Sequence, residues 1–245
     1  MVKVSIIILT KDRAELLKNA LDSIRRQSFG NFEVVVVNDG SGDNTQGIIE
    51  SSGFLNLKII RHEKSLGITL SRREALASCA GEYVAILDDD DQWLDKDKLD
   101  KQVRYLDEHP EVVVVGGGIK IELGIMNYEL RMRPQTDKQI RRTMLFRNNF
   151  FTSTIMFRKE AAVKAGGFVQ TGDDLAEDYD LWLRMIKLGK GYNFQEVFTL
   201  YSKPEYSNEK TKKFFRKQLE LINRYRADYP WYAFAKTVLK LRILL

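Results

Sequence analysis

The sequence predicts an α/β protein, a Rossmann-like open mixed sheet flanked by helices, with a helical appendage at its C-terminus. Short apolar runs alternate with amphipathic stretches through residues 4–108, the pattern of strands and crossover helices. The fourth of these runs, Val84-Ala85-Ile86-Leu87, passes straight into Asp88-Asp89-Asp90-Asp91. From residue 208 onward the period is helical, rich in Lys, Arg and aromatic residues.

Residues 2–9 end in Ile6-Ile7-Ile8-Leu9, a continuous apolar run suited to a central parallel strand, and Thr10-Lys11-Asp12-Arg13 then leaves the sheet. Residues 15–26 carry Leu16, Leu17, Ala20, Leu21 and Ile24 at helical spacing. A second buried strand, 33–37, stops at Asn38-Asp39-Gly40-Ser41 and completes a βαβ unit. Residues 45–52 form a short helix, 57–61 a third strand and 70–80 a helix that Gly81 ends before the aspartate strand. Right-handed crossovers then wind these strands into one sheet. A surface helix over 96–108 has Leu99, Val103 and Leu106 on one face and stops at His109-Pro110. Residues 111–115 are a buried strand running into a bend at Gly116-Gly117-Gly118, after which 119–122 alternate as an edge strand. Residues 150–158 alternate as a strand, 160–165 form a helix with a glycine stop at Gly166-Gly167, and 179–188 form a helix whose core face is Leu181, Trp182, Met185 and Ile186.

With 245 residues, 44% hydrophobic and 30% charged, the chain can bury a large core, and nothing in it points to disorder. A single cysteine, Cys79, excludes a disulfide framework and a thiolate zinc cluster, and two histidines, His62 and His109, exclude a histidine-rich metal site. The apolar run at 6–9 is far short of a signal-peptide core and no window approaches a membrane span, so a cytoplasmic location is expected. A net charge of +5 suits acidic partners, but the basic residues lack the aromatic interleaving of a nucleic-acid surface. Neither a dinucleotide fingerprint nor a phosphate-binding Gly-Lys-Ser/Thr loop is present.

In an open α/β sheet, ligands bind beyond the carboxyl ends of the strands. That rule predicts one crevice lined by Thr10 and Asp12, by Asp39, and by Asp88 to Asp91. Four adjacent aspartates beside a core strand need cations or donors to offset their repulsion. Alternation puts Asp88 and Asp90 on one side, where they can share Mg²⁺ or Mn²⁺. The competing account is a solvated acidic turn in which Asp91 or Asp95 caps the next helix. Asp39 likewise reads either as a ligand contact or as a turn former before Gly40. A second acidic centre, Glu177-Asp178, sits at a helix N-terminus, where the dipole alone would stabilise it. Arg131, Arg133, Arg141 and Arg142 offer positive charge for a diphosphate or an anionic acceptor, or are solvated surface.

Taken together, residues 4–13, 34–41, Arg72 with the helix leading to Gly81-Glu82-Tyr83, 87–93, Gly166-Gly167-Phe168 and 177–182 resemble the family 2 glycosyltransferases of the GT-A fold, over roughly residues 2–205. The resemblance implies that Thr10, Asp12 and Asp39 contact the nucleoside of a nucleotide-diphosphate sugar, a UDP-sugar in the first instance. It implies that Arg72 holds the base or diphosphate, that Asp89 lies near the ribose, and that Asp88 and Asp90 form the Asp-x-Asp motif, with Asp90 the direct ligand of Mn²⁺ or Mg²⁺. Asp178 falls where the family has its general base, so transfer to an acceptor hydroxyl would go by a single displacement with inversion. The acceptor would be a saccharide or a lipid-linked molecule in cell-surface polysaccharide or glycolipid synthesis. Arg73 stands where the family commonly has Asn, and the Gln-x-x-Arg-Trp motif of processive members is absent, which implies transfer of one sugar. A nucleotidyltransferase or a catalytically inert sugar-nucleotide binder are the alternative functions. The expected organisation is a catalytic domain over 1–205, with 1–95 its nucleotide-binding half and 96–205 its acceptor half, followed by an extension over 206–245.

In that extension, residues 208–228 read as a charged helix with Phe214, Phe215, Leu219 and Ile222 on its apolar side, and Pro230 opens a second helix over 231–245. Trp231, Tyr232 and Phe234 lie at one end, and Lys236, Lys240 and Arg242 interleave with apolar residues, a composition suited to the inner face of a membrane. Packing on the chain's own catalytic domain, or on a second copy in a homodimer, is the competing expectation for 229–245.

Overall fold

Residues 1–124, 127–170, 175–202 and 208–244 are described by the computed structural model. The chain begins as the sequence leads one to expect, with β1 (Val4–Thr10), α1 (Ala14–Arg25), β2 (Phe32–Asn38), α2 (Thr45–Glu50), β3 (Leu57–Arg61), α3 (Ile68–Ser78) and β4 (Tyr83–Ile86). These four strands are parallel, in the order β3-β2-β1-β4. There follow β5 (Gln92–Trp93), α4 (Lys98–Glu108), β6 (Val112–Gly124), β7 (Asn127–Arg131), α5 (Asp137–Thr143), β8 (Met156–Arg158), α6 (Lys159–Lys164), α7 (Glu177–Met185) and β9 (Lys190–Tyr201). The sheet continues from β4 through antiparallel β8 to β6, β9 and β5, with β7 paired to β6, so it is mixed and open, as predicted.

Each central strand is buried on both faces, and its alternate residues enter two different cores. Val4, Ile6, Ile8, Val34, Val36 and Ala85 pack against Leu17, Leu21 and Ile24 of α1 and Leu99, Val103 and Leu106 of α4. Ile7, Val35, Val37, Val84 and Ile86 face the other way, towards Ala75 and Leu76 of α3 and Leu181 and Trp182 of α7. Gly81 sets the register of β4 against β1. A Cβ there would lie 2.5 Å from the Ser5 nitrogen, and the close approach lets the Gly81 N–H donate to Ser5 Oγ at 2.8 Å.

Two predicted strands differ from those observed. Residues 119–122 are not an edge: β6 runs through the three glycines as one strand, and Ile119 and Ile121 pair with β7 on one side and β9 on the other. The bend does occur, as register shifts around Gly116 and Gly118, and a Cβ on Gly117 would meet Phe198 at 2.3 Å. Residues 150–158 are interrupted by a 3-10 turn, Thr152–Thr154, because hydroxyls compete with the ladder for backbone partners. Thr154 Oγ1 donates to the Phe151 carbonyl and accepts from the Gly117 N–H. The sequence had signalled no element at β5, β7, α5 or β9.

The C-terminal helices α8 (Asn208–Arg224) and α9 (Tyr232–Leu244) follow, and the expected boundary at 205 lies outside the described residues. Leu221, Ile222, Tyr225, Tyr229, Ala235 and Leu239 are buried in the same core as α7. Tyr225 Oη donates to Asp180 Oδ1 at 2.7 Å, and Tyr229 Oη to the Leu183 carbonyl at 2.6 Å. Packing on the chain itself therefore accounts for the inner faces of both helices. Leu221→Ala and Leu239→Ala should each cost about 2–5 kcal/mol and shift a single urea transition seen alike by circular dichroism and tryptophan fluorescence. A separate, earlier loss of helical signal would show that these helices stand apart from the core.

Candidate active site

The carboxyl ends of β1, β2 and β4 open into a cavity of about 570 Å³, lined by Thr10, Arg13, Asp39, Arg72 and Asp88 to Asp90 among others. The topology explains the convergence, since parallel neighbours β2, β1 and β4 deliver their last residues to one edge of the sheet. Thr10 ends β1 and borders Asp89. Asp12 is exposed and lies outside the cavity lining, where its Oδ1 accepts from the Gly42 N–H at 2.7 Å.

Asp39 holds the far wall. It accepts from Ser65 Oγ at 2.6 Å, the Leu66 N–H at 2.8 Å and the Gly67 N–H at 3.1 Å, with His62 Nδ1 at 2.7 Å. Burial works against its ionisation, but these donors outweigh burial and hold the carboxyl at about 2. The turn at residues 38–41 is made instead by Asn38, whose Oδ1 accepts from the Ser41 N–H. Gly40 has a left-handed φ of +75°, and a Cβ there would lie 2.8 Å from the Ser65 nitrogen.

The four aspartates part company. Asp88 sits at the cavity floor, with Arg72 Nη2 donating to it at 2.9 Å, while Arg72 Nη1 pairs with Glu177. Arg13 Nη1 donates to Asp89 at 2.8 Å and to Asp90 at 3.0 Å. Asp91 is buried and structural, accepting from Ser153 Oγ at 2.5 Å and the Ser202 N–H at 2.8 Å. Burial and the neighbouring Asp88 charge push it up to about 8. Neither Asp91 nor Asp95 caps α4, which follows Asp97 and has no side-chain cap.

The structure brings the second acidic centre to the first. Asp178 lies in the first turn of α7, close enough that its charge acts on Arg72, Asp88 and Glu177. Its Oδ2 accepts from Thr152 Oγ1 at 2.7 Å and Asn148 Nδ2 at 3.1 Å, and its Oδ1 from the Tyr179 N–H at 2.6 Å. Glu177 is buried, and burial with the Asp178 charge raises it to about 7 against the pull of Arg72. Asp180 points away, bound by Arg184, Arg224 and Tyr225. Arg13 lies within the motif stretch 4–13 but was given no role there, and Asn148, Thr152, Ser153 and Ser202 carried no motif signal. The one signal that could have found them is the hydroxyl run Thr152-Ser153-Thr154, which reads only as part of a strand.

Among the described residues, no three carboxylates, imidazoles or thiolates converge into a preformed metal cage. The donor set nonetheless suits a hard divalent cation. Asp88 to Asp91, Glu177 and Asp178 outnumber the guanidiniums of Arg13 and Arg72, and burial with mutual repulsion raises Asp88, Asp89, Asp91 and Glu177. Mg²⁺ and Mn²⁺ are commonly held by one or two such carboxylates, with phosphate and water oxygens completing the shell.

Removing Arg72 leaves Asp88 and Glu177 without their shared cation, so Arg72→Gln should cost about 3 kcal/mol or more at pH 8. Glu177 has a folded pKa above its unfolded value of ~4.3, so the folded state binds the extra proton and stability falls as pH rises through about 7. Urea unfolding at pH 5.5 should therefore show a smaller loss than at pH 8. An equal loss at both would mean that the guanidinium is not offsetting these acids.

A model of the family described as "Glycosyl transferase family 2" matches residues 5–166. The amylovoran biosynthesis glycosyltransferase AmsE of Erwinia amylovora is 31% identical over 192 residues, covering 77% of this chain and 71% of that protein. Among solved structures, TarS 1–349 of S. aureus in complex with UDP-GlcNAc superposes with a TM-score of 0.71 at 22% identity, covering 98% of this chain and 70% of that one. The mannosyltransferase PcManGT from Pyrobaculum calidifontis, in complex with GDP-Man and Mn²⁺, gives 0.71 at 19% identity, covering 98% and 69%. These likenesses agree with a GT-A-like architecture, and the sequence match across the strand-end motifs shows that the chain belongs to glycosyl transferase family 2.

Proposed function

We propose that this glycosyltransferase moves one sugar from a nucleotide-diphosphate donor to an acceptor hydroxyl with inversion. The observation that carries the proposal is Arg72, one guanidinium joining the strand-end aspartate Asp88 to Glu177, the neighbour of Asp178. Diphosphate chemistry and proton abstraction are thereby set side by side. In this reading residues 1–95 hold the donor and 96–205 the acceptor. Thr10 and Asp89 line the ribose end, Asp39 shapes the base end through residues 62–67, and Asp12 braces the 41–42 turn at the rim. A UDP-sugar is the first donor to try, because the superposable TarS structure holds UDP-GlcNAc.

Asp178 is the proposed base. A carboxylate has about four acceptor sites, and donors from Thr152, Asn148 and Tyr179 occupy three, leaving one for the acceptor hydroxyl. The same donors fix the carboxylate's orientation before substrate arrives. The hydroxyl gives its proton to Asp178 as its oxygen attacks the anomeric carbon, and the bond to the diphosphate breaks on the opposite face. Arg72 and Arg13 meet the departing charge from the protein side. Asp90, with Asp88, would hold Mn²⁺ or Mg²⁺, which when bound offsets further charge on the diphosphate.

Asp178→Asn should lower single-turnover transfer by about 10²- to 10⁴-fold while leaving nucleoside-diphosphate affinity unchanged. Asp90→Ala should abolish the Mn²⁺-dependent part of that affinity in calorimetry. Near wild-type turnover in the first variant would place the base elsewhere, and unchanged Mn²⁺ dependence in the second would remove the metal assignment.

The acceptor in this proposal is a saccharide or lipid-linked molecule of cell-surface polysaccharide synthesis, as the role of AmsE in amylovoran biosynthesis suggests. Among the described residues no helix is long and apolar enough to cross a membrane. The outer side of α9 nevertheless exposes Trp231 at 57%, Phe234 at 62%, Leu241 at 56% and Leu244 at 77%, next to Lys240 and Arg242. That surface fits peripheral attachment to an anionic membrane face. Vesicles containing anionic lipid should sediment the full chain, and a Trp231→Ser, Phe234→Ser double variant should stay in the supernatant. Equal behaviour of the two proteins would dismiss the membrane contact, and a concentration-dependent change in mass lost in the variant would identify a homodimer instead.

A further inference from the structure

A second concavity, about 530 Å³, is lined by Arg133, Gln139, Arg142, Thr143 and Gln195 among others. Arg133 follows β7 and is half-buried, with its guanidinium 4.0 Å from the centroid of the Phe151 ring. Its Nε is buried and has no hydrogen-bond partner. Burial lowers Arg133 to about 10, and the like charges of Arg147 and Arg131 add to that effect. Arg131 has a carboxylate partner in Glu129. Arg133, Arg142 and Arg147 form no ion pair with a carboxylate among the described residues, in a chain whose buried acids are otherwise matched to donors or guanidiniums. A buried donor left unsatisfied destabilises the fold, and the face of one aromatic ring recovers only part of that loss. Such a cluster is stabilised when an oxyanion enters it, since the guanidinium fork matches the oxygens of a phosphate or carboxylate.

Its position gives the cluster a role. Phe151, under Arg133, precedes Thr152, and Arg147 precedes Asn148; Thr152 and Asn148 are the two side chains that donate to Asp178 Oδ2. Tyr201, which lines the donor cavity, lies close enough for its charge to act on Arg133. The concavity shares no lining residue with the donor cavity, yet its Arg133 rests on a ring whose next residue donates to the proposed base.

We propose that Arg133, with Arg142 and Arg147, forms an acceptor subsite for an oxyanion, so that the molecule glycosylated carries a phosphate or carboxylate group beside its reacting hydroxyl. The word acceptor rests on the glycosyl-transfer reading, whereas the anion site itself does not. Inorganic phosphate, D-glucuronate and glucose would be titrated calorimetrically into the full chain at fixed ionic strength, with UDP and Mn²⁺ present to fill the donor cavity. The affinity for UDP would be measured in the same samples. At least one anion should bind and glucose should not. Arg133→Gln should weaken the anion about tenfold or more, Arg133→Lys less, and the exposed Arg147→Gln severalfold, all with UDP affinity unchanged. Phosphate alone binding points to a phosphorylated acceptor, and glucuronate alone to an acidic sugar. The proposal is overturned if neither anion binds the wild type, or if Arg133→Gln and Arg147→Gln bind it as the wild type does. Should Arg133→Gln melt early, Arg147→Gln decides the matter alone. Failure of UDP to bind would count against the glycosyl-transfer reading, while glucuronate affinity across the variants still reports on the arginines.

Discussion

Arg72 is the interaction on which the rest of the site depends. It is carried by α3, its guanidinium is buried, and its two terminal nitrogens reach Asp88 after β4 and Glu177 at the start of α7. Asp88 is partly buried and Glu177 buried, and two such neighbouring carboxylates repel each other unless a cation lies between them. A lysine would bring one point charge, whereas the planar fork serves two partners at once. One side chain therefore ties the end of the parallel sheet to the helix that bears Asp178, with Arg72 and Glu177 105 residues apart in sequence.

Charge in the site is divided by position. On the donor side acids exceed cations, and the surplus is expressed as carboxyls raised by burial and by one another. Asp39 is the exception: with four donors directed at it, its ionisation is satisfied within the protein, and it acts on the cavity through the 62–67 loop. Across Asp178 the imbalance reverses, with guanidiniums lacking carboxylates. On the proposed reading, opposite deficits on the two sides would suit a diphosphate with its cation on one and an anionic acceptor group on the other.

The legible part of this molecule was the part whose physics is local. Strands β1, β2 and β4 showed as apolar runs because they are buried on both faces, and each leads into polar residues that line the cavity, whereas β3 is a half-exposed edge strand. The aspartate run, Arg72 and the acid pair at α7 were visible as residue types in ordered motifs. Strand β9 was not, because Asn193, Gln195 and Glu196 interrupt its apolar pattern and its partners lie in β6, far back in sequence. Nor could Arg13 be placed against Asp89 and Asp90, a contact spanning 76 residues or more. The buried roles of Ser153 and Asp91 likewise exist only once the turn at 152–154 meets the end of β4. Alternation suggested a strand there, and hydroxyl-to-backbone bonding prevailed.

The bond between Tyr225 and Asp180 bears on when the enzyme becomes competent during its own synthesis. Asp180 lies one turn or less beyond Asp178 in α7, and two of its three side-chain partners, Arg224 and Tyr225, lie at and just past the end of α8. The ribosome delivers residues 1–95 well before α7, α8 and α9. Helix α7 stays without its full set of neighbours until the segment from α8 onward has left the exit tunnel and reached Asp180 and Leu183. A translation product truncated before α8 would thus carry α7, and the Asp178 in its first turn, without the contacts that anchor the helix from the C-terminal side.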